Sequence, residues 1–197
     1  SYLNNNVSKD IGKTPKIKVY ENEILELYQY KGNSEKNILI VNPLINGFYV
    51  LDLLPEISFI KYLVENNLSP YIIKWKNFEE YKRKLNWDFY VLNGVKESID
   101  FIFENDQKKL ILLGHCLGGL LTSSYLSSYK NSKVEKHITF NTPYDTNIEG
   151  ELKRLTNPEI LDIDKLIDTV GNLPVDMLNL SFQFINSHAR WKAHMSI

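Results

Sequence analysis

Leu110-Ile111-Leu112-Leu113-Gly114-His115-Cys116-Leu117-Gly118-Gly119 decides the fold of this chain. An apolar run of strand length leads straight into a glycine-flanked cysteine, and the apolar stretch Leu120 to Tyr129 that follows has helical length. That order describes a nucleophile elbow, a strained strand-to-helix turn that lifts a side chain above the sheet edge, here with cysteine in place of serine. Gly114 and Gly118 stand two positions either side of Cys116, where a Cβ would collide with the neighbouring strand or helix backbone. Gly119 adds a third small residue, and the backbone N–H of Leu117 would face an oxyanion formed beside the helix N-terminus. The alternative is a plain strand-to-helix turn with Cys116 as an inert buried thiol.

Working outward, strand and helix patterns alternate, which predicts a mostly parallel sheet with helices on both faces. Lys16 to Tyr20 and Ile24 to Tyr30 read as an antiparallel opening pair. Ile38 to Asn42 reads as a buried strand that Pro43 must end, because proline cannot donate to a ladder. Leu51 to Glu65 carries a helical stripe at Leu54, Ile57, Ile60 and Leu63. Tyr71 to Trp75 is the next strand, Phe89 to Phe103 a helix with Val91, Val95, Ile99 and Ile102 on one face, and Lys136 to Phe140 a strand after the elbow helix. Beyond Thr146 the pattern becomes helical, at Asn157 to Val170 and Val175 to Ile185, as in a cap laid over a sheet.

Composition excludes several functions. The chain of 197 residues has a net charge of -1, and its Lys and Arg form no stripe interleaved with aromatics, so nothing favours nucleic acid. One cysteine and four dispersed histidines give no metal-ligand spacing, and no bound cofactor is expected. A lone cysteine fits a reducing compartment, and no apolar run is long enough for a membrane span or shaped as a signal peptide, so the expected location is the cytoplasm. Lys74, Lys76, Lys82, Arg83 and Lys84 read as a solvated face, and Phe48, Tyr49, Tyr71, Trp75 and Trp87 as core rather than an acyl channel.

Several separated segments together resemble polyhydroxyalkanoate synthases: Thr14-Pro15 through Tyr30, Val41-Asn42-Pro43-Leu44-Ile45-Asn46, Tyr49 to Leu53, Ser58, Tyr71 to Trp75, the Gly-His-Cys-Leu-Gly-Gly box and Asn141-Thr142-Pro143-Tyr144-Asp145. The resemblance runs from Thr14 to Ile185 and implies an α/β-hydrolase fold. It implies a polar N-terminal segment over 1–13, a core over 14–145, a cap-like helical segment over 146–186 and an unmatched tail over 187–197. It further implies an acyltransferase that polymerises 3-hydroxyacyl-CoA thioesters onto a growing polyester at a granule surface, usually as a dimer. Cys116 would carry the acyl group as a thioester, and Ile45 is the nearest match to the second oxyanion-hole donor.

In this fold the acid and then the histidine follow the nucleophile, and in the synthases both lie beyond the cap on loops after the last strands. Neither motif is found after Cys116. The expectation is therefore the amino-terminal part of a synthase, split, truncated or decayed, lacking the last strands and weak alone, or paired with a separately encoded C-terminal half. Asp145, after the strand that follows the elbow helix, and His188, near the chain's end, are the local substitutes for acid and base. A thioesterase or esterase with a cysteine nucleophile, and a non-catalytic fragment or subunit, are the other two readings.

Overall fold

The structure is a computed structural model that describes residues 11–32, 36–45, 47–76, 85–130, 133–145, 157, 159 and 162–170. Packing divides the chain into two units, one of residues 1–78 and 84–144, the other of 79–83 and 145–197.

The first unit is built on six strands: β1 (Lys16–Glu21), β2 (Leu25–Tyr30), β3 (Asn37–Val41), β4 (Ser69–Trp75), β5 (Leu110–His115) and β6 (Val134–Phe140). They lie in the order β1-β2-β4-β3-β5-β6. The sheet is mixed but mostly parallel: β4, β3, β5 and β6 run parallel, while β2 runs antiparallel to both β1 and β4. β5 is thus flanked by β3 and β6. β3 is buried along its whole length and ends before Asn42 and Pro43, where the loss of a backbone donor was expected to end it.

Strand side chains alternate between the two faces, and each face has its own helices. Leu39 and Val41 of β3, Ile73 of β4 and Leu112 of β5 pack on one face. That face is covered by α2, a helical run of Trp87–Phe89, the π-helical stretch Tyr90–Lys96 and Glu97–Asp106, and by α3 (Leu117–Ser128). The predicted stripe of Val91, Val95, Ile99 and Ile102 is buried there, beside Leu121 and Tyr125 of α3. Ile38, Ile40, Ile72 and Leu113 turn to the other face and meet Leu51, Ile60 and Leu63.

The stripe expected from Leu51 to Glu65 forms a helix only at its end. α1 spans Phe59–Glu65, preceded by a short 3-10 turn at Phe48–Leu51. Ser58 caps α1, its Oγ accepting from Lys61 N at 2.9 Å. Upstream, the chain is held by Asp52 instead of by helical bonds. The buried Asp52 carboxylate accepts from Thr14 Oγ1 and Ser58 Oγ, each at 2.6 Å, and from Thr14 N at 3.2 Å. Ile57, expected on the apolar face, is 65% exposed.

In the second unit the described part is mainly the helix α4 (Ile163–Val170), with Asp162 Oδ1 accepting from Lys165 N at 2.9 Å. It lies inside the longer helical segment expected over Asn157 to Val170. The segment expected at Val175 to Ile185 and the tail 187–197 lie outside the described residues.

Candidate active site

β5 ends at His115, α3 begins at Leu117, and Cys116 makes the whole turn between them with φ 54° and ψ −123°. That backbone region is unfavourable for any residue with a Cβ, at roughly 1–3 kcal/mol, and persists only where its surroundings enforce it. Here they do: Cys116 N donates to Phe140 O on β6 at 2.8 Å, and Cys116 O accepts from Gly119 N at 2.9 Å. The thiol is half-buried.

Each of the three glycines permits one close approach. A Cβ on Gly114 would overlap the Cα of Gly119 and stand 2.7 Å from Gly118 O, so strand and helix could not meet. On Gly118 it would overlap the carbonyl of Val41 and lie 3.1 Å from the carbonyl carbon of Asn42, which places the end of β3 against the first turn of α3. On Gly119 it would overlap the side chain of Thr142. The loop after β6 is held to α3 a second time where Ser123 Oγ and Tyr144 Oη lie 2.8 Å apart.

Leu117 is the first residue of α3, so its N–H has no intrahelical partner. Ile45 follows β3 on the loop that Gly118 faces, and is 45% exposed. It lines a cleft of about 310 Å³ together with Asn42, Tyr49, Ile73 and Trp75. Trp75 Nε1 donates to Asn42 O at 2.9 Å, and its ring meets Tyr90 edge-on at 5.4 Å. Tyr71 lies in the core as expected, whereas Tyr49 and Trp87 are exposed. Lys74 pairs with Glu26 and Lys76 with Glu21 of the β1–β2 hairpin in partly solvent-exposed ion pairs, and Lys82, Arg83 and Lys84 lie outside the described residues.

The two described histidines differ in their contacts. His115 is only 9% exposed and packs on the Phe140 ring at 5.6 Å, with its Nδ1 unpartnered, and burial lowers its pKa. His137 on β6 has Nε2 2.9 Å from Thr122 Oγ1, a hydroxyl that also lies 3.0 Å from Gly119 O, and burial lowers its pKa too. Asp145 is exposed and belongs to the second unit, and His188 lies outside the described residues. The structure therefore brings together Cys116, Leu117, the three glycines and the loop carrying Ile45. Among the described residues, no group of three His, Cys, Asp or Glu side chains could hold a metal ion, and no helix is long and apolar enough to cross a membrane.

Two residues of the site were not singled out from sequence. Thr142 presses on Gly119, and Asn42, 1% exposed, stands at the junction of β3, the cleft and α3. The one available signal was a polar residue placed between a buried strand and a proline, at Asn42.

Comparison with known proteins places this geometry in a family. Residues 3–63 match the family model described as the poly-beta-hydroxybutyrate polymerase (PhaC) N-terminus. The chain is 33% identical over 180 residues to a poly(3-hydroxyalkanoate) polymerase subunit PhaC of Allochromatium vinosum, covering 88% of this chain and 50% of that protein. With the corresponding subunit of Rhizobium etli it is 28% identical over 190 residues, covering 92% of this chain and 30% of that protein. The chain belongs to the poly(3-hydroxyalkanoate) polymerase family. This polymerase relative spans half or less of the length of these two curated proteins.

Its fold is that of the α/β hydrolases. The α/β hydrolase GrgF of Penicillium sp. sh18 superposes with a TM-score of 0.57 at 16% identity, covering 81% of this chain and 57% of that one. The Francisella virulence factor BioJ superposes at 0.55 and 14% identity, covering 71% and 47%.

Proposed function

We propose that Cys116 accepts a 3-hydroxyacyl group from a coenzyme A thioester, as the covalent step of polyester synthesis. The observation that carries this reading is a thiol, rather than a hydroxyl, on the enforced φ 54° turn of a polymerase-family chain. The Cys116 thiolate attacks the thioester carbonyl, a new C–S bond forms, and the bond to coenzyme A breaks as its thiolate leaves and takes up a proton. The backbone N–H groups of Leu117 and Ile45 receive the charge on the carbonyl oxygen while the carbon is tetrahedral. A hydroxyl of another substrate or of the growing chain then attacks the acyl-cysteine, its proton passing to a base, and the thiol is restored.

Loss of a general base costs on the order of 10²–10⁴ in rate. With His115 packed on the Phe140 ring and His137 bonded to Thr122, the base on this reading is a histidine of a separately encoded C-terminal half. The chain works on this reading in the cytoplasm at polyester granules, as a homodimer or with that partner, and alone it acylates without sustained polymerisation.

The test is intact mass after incubation of the purified chain with 3-hydroxybutyryl-CoA. A single acyl adduct, absent in Cys116→Ala, is expected. Adduct formation in Cys116→Ala overturns the assignment of the nucleophile, and release of coenzyme A and free hydroxyacid without an acyl adduct or polymer supports a thioesterase instead. Sustained polymer formation that His188→Ala abolishes places the base within this chain.

A further inference from the structure

Asn42, on the wall of the cleft beside Ile45, carries a buried polar atom without a partner. Asn42 is 1% exposed, and its Nδ2 donates to Ile73 O at 3.1 Å, which fixes the orientation of the amide. Its Oδ1 is left buried without a donor. Two donors on the same walls are engaged: Trp75 Nε1 with the backbone oxygen of Asn42, and Lys74 Nζ with Glu26 at 2.7 Å. An acceptor buried in this way is destabilising until something donates to it. Leu44, Ile45, Phe48, Tyr49 and Ile73 also line it. The cleft sits at the carboxyl ends of β3 and β4, where open α/β sheets bind their ligands. It also adjoins the elbow, because the backbone of Asn42 packs under Gly118.

We infer that this cleft holds one arm of the thioester and that Asn42 determines specificity, its Oδ1 accepting a hydrogen bond from an O–H or N–H donor on that arm. The inference rests on the acyl-transfer reading above. Two parts of a hydroxyacyl thioester carry such a donor, the 3-hydroxyl of the acyl half and the amide of the pantetheine half. A site that pairs a buried polar group with a substrate donor rejects the analogue lacking it, because the group is then left bare.

Four small thioesters separate the possibilities. The acyl half is 3-hydroxybutyryl or butyryl, and the thiol half is N-acetylcysteamine or 2-acetoxyethanethiol, in which an ester oxygen replaces the amide N–H. The rate of Cys116 acylation is followed by intact mass for the native chain, Asn42→Leu and Asn42→Asp, with iodoacetamide labelling of Cys116 as a check on the elbow. The native chain is expected to prefer one donor over its donorless counterpart by about tenfold, the equivalent of one such hydrogen bond. Asn42→Leu should lose that preference while still being acylated, and Asn42→Asp, which keeps an acceptor, should retain it. The half of the molecule that shows the preference identifies the donor. Equal rates across all four thioesters in the native chain, or a preference that survives Asn42→Leu, overturns the inference and leaves the oxygen to a resident water. Absence of acylation by all four overturns the acyl-transfer reading itself. Should Asn42→Leu not fold, the comparison within the native chain alone decides.

Discussion

Gly118 and Val41 meet backbone to backbone: a Cβ on the glycine would overlap the Val41 carbonyl oxygen and lie 2.7 Å from its carbon. Neither side can rotate away, so Gly118→Ala must push α3 off β3. The expected cost is about 3 kcal/mol or more, read as a lowered urea midpoint. Gly119→Ala meets the side chain of Thr142 instead, and Thr142→Ala should recover part of its loss. Equal rescue of both glycine variants by Thr142→Ala would contradict this arrangement.

The backbone of Cys116 supports a second expectation. At φ 54° and ψ −123°, any residue with a Cβ is strained, and glycine is not. Cys116→Gly should therefore be more stable than Cys116→Ala by about 1 kcal/mol, the relieved strain exceeding the greater freedom of glycine in the unfolded chain. Chemical denaturation of the two variants, in parallel, measures the difference. A more stable alanine variant would mean the turn is relaxed in solution.

Asp52 ties Thr14 to Ser58 across the start of the first unit. Asp52→Ala leaves two hydroxyls and a backbone N–H without their acceptor, and should cost roughly 3 kcal/mol. Limited proteolysis should then cut near Thr14 much sooner than in the native chain. Unchanged protection there would show that β1 alone holds this segment.

Burial lowers the pKa of both His115 and His137 from the ordinary 6.5, so the folded chain binds protons on them less readily than the unfolded one. The sign follows: their contribution is intact above the unfolded value and is lost as pH falls from 6.5 towards the folded values. The urea midpoint should fall between about pH 7 and about pH 5, and replacing both histidines by glutamine should flatten that part of the profile. A slope unchanged in the double variant would assign it to other groups.

The elbow was legible because its cause is local. A buried strand, a turn that admits no Cβ two positions either side of Cys116, and an apolar helix are all written in one continuous stretch. The segment from Leu51 was misread for the opposite reason. Its apolar spacing suits a helix, but the chain there is fixed by the distant Thr14 through Asp52, and Ile57 is left facing solvent. The π-helical stretch Tyr90–Lys96 was invisible as well: a Cβ on Gly94 there would stand 2.6 Å from the Trp75 ring, a contact between segments far apart in sequence. Asn42 escaped notice as a functional candidate because an unsatisfied acceptor is a property of its neighbours, not of its own position.

The turn at Cys116 is enforced by partners that arrive from both directions along the chain, since β3 precedes it and Phe140 follows it. The hairpin of β1 and β2 closes between near neighbours, whereas pairing β5 with β3 closes a loop that holds the whole β4 and α2 crossover. The turn at Cys116 therefore rests on the strand pairing with the greatest sequence separation in the sheet. On a ribosome, a nascent chain that has not yet extruded β6 lacks the Phe140 carbonyl that holds Cys116 N, and with it one of the two backbone hydrogen bonds that fix the turn.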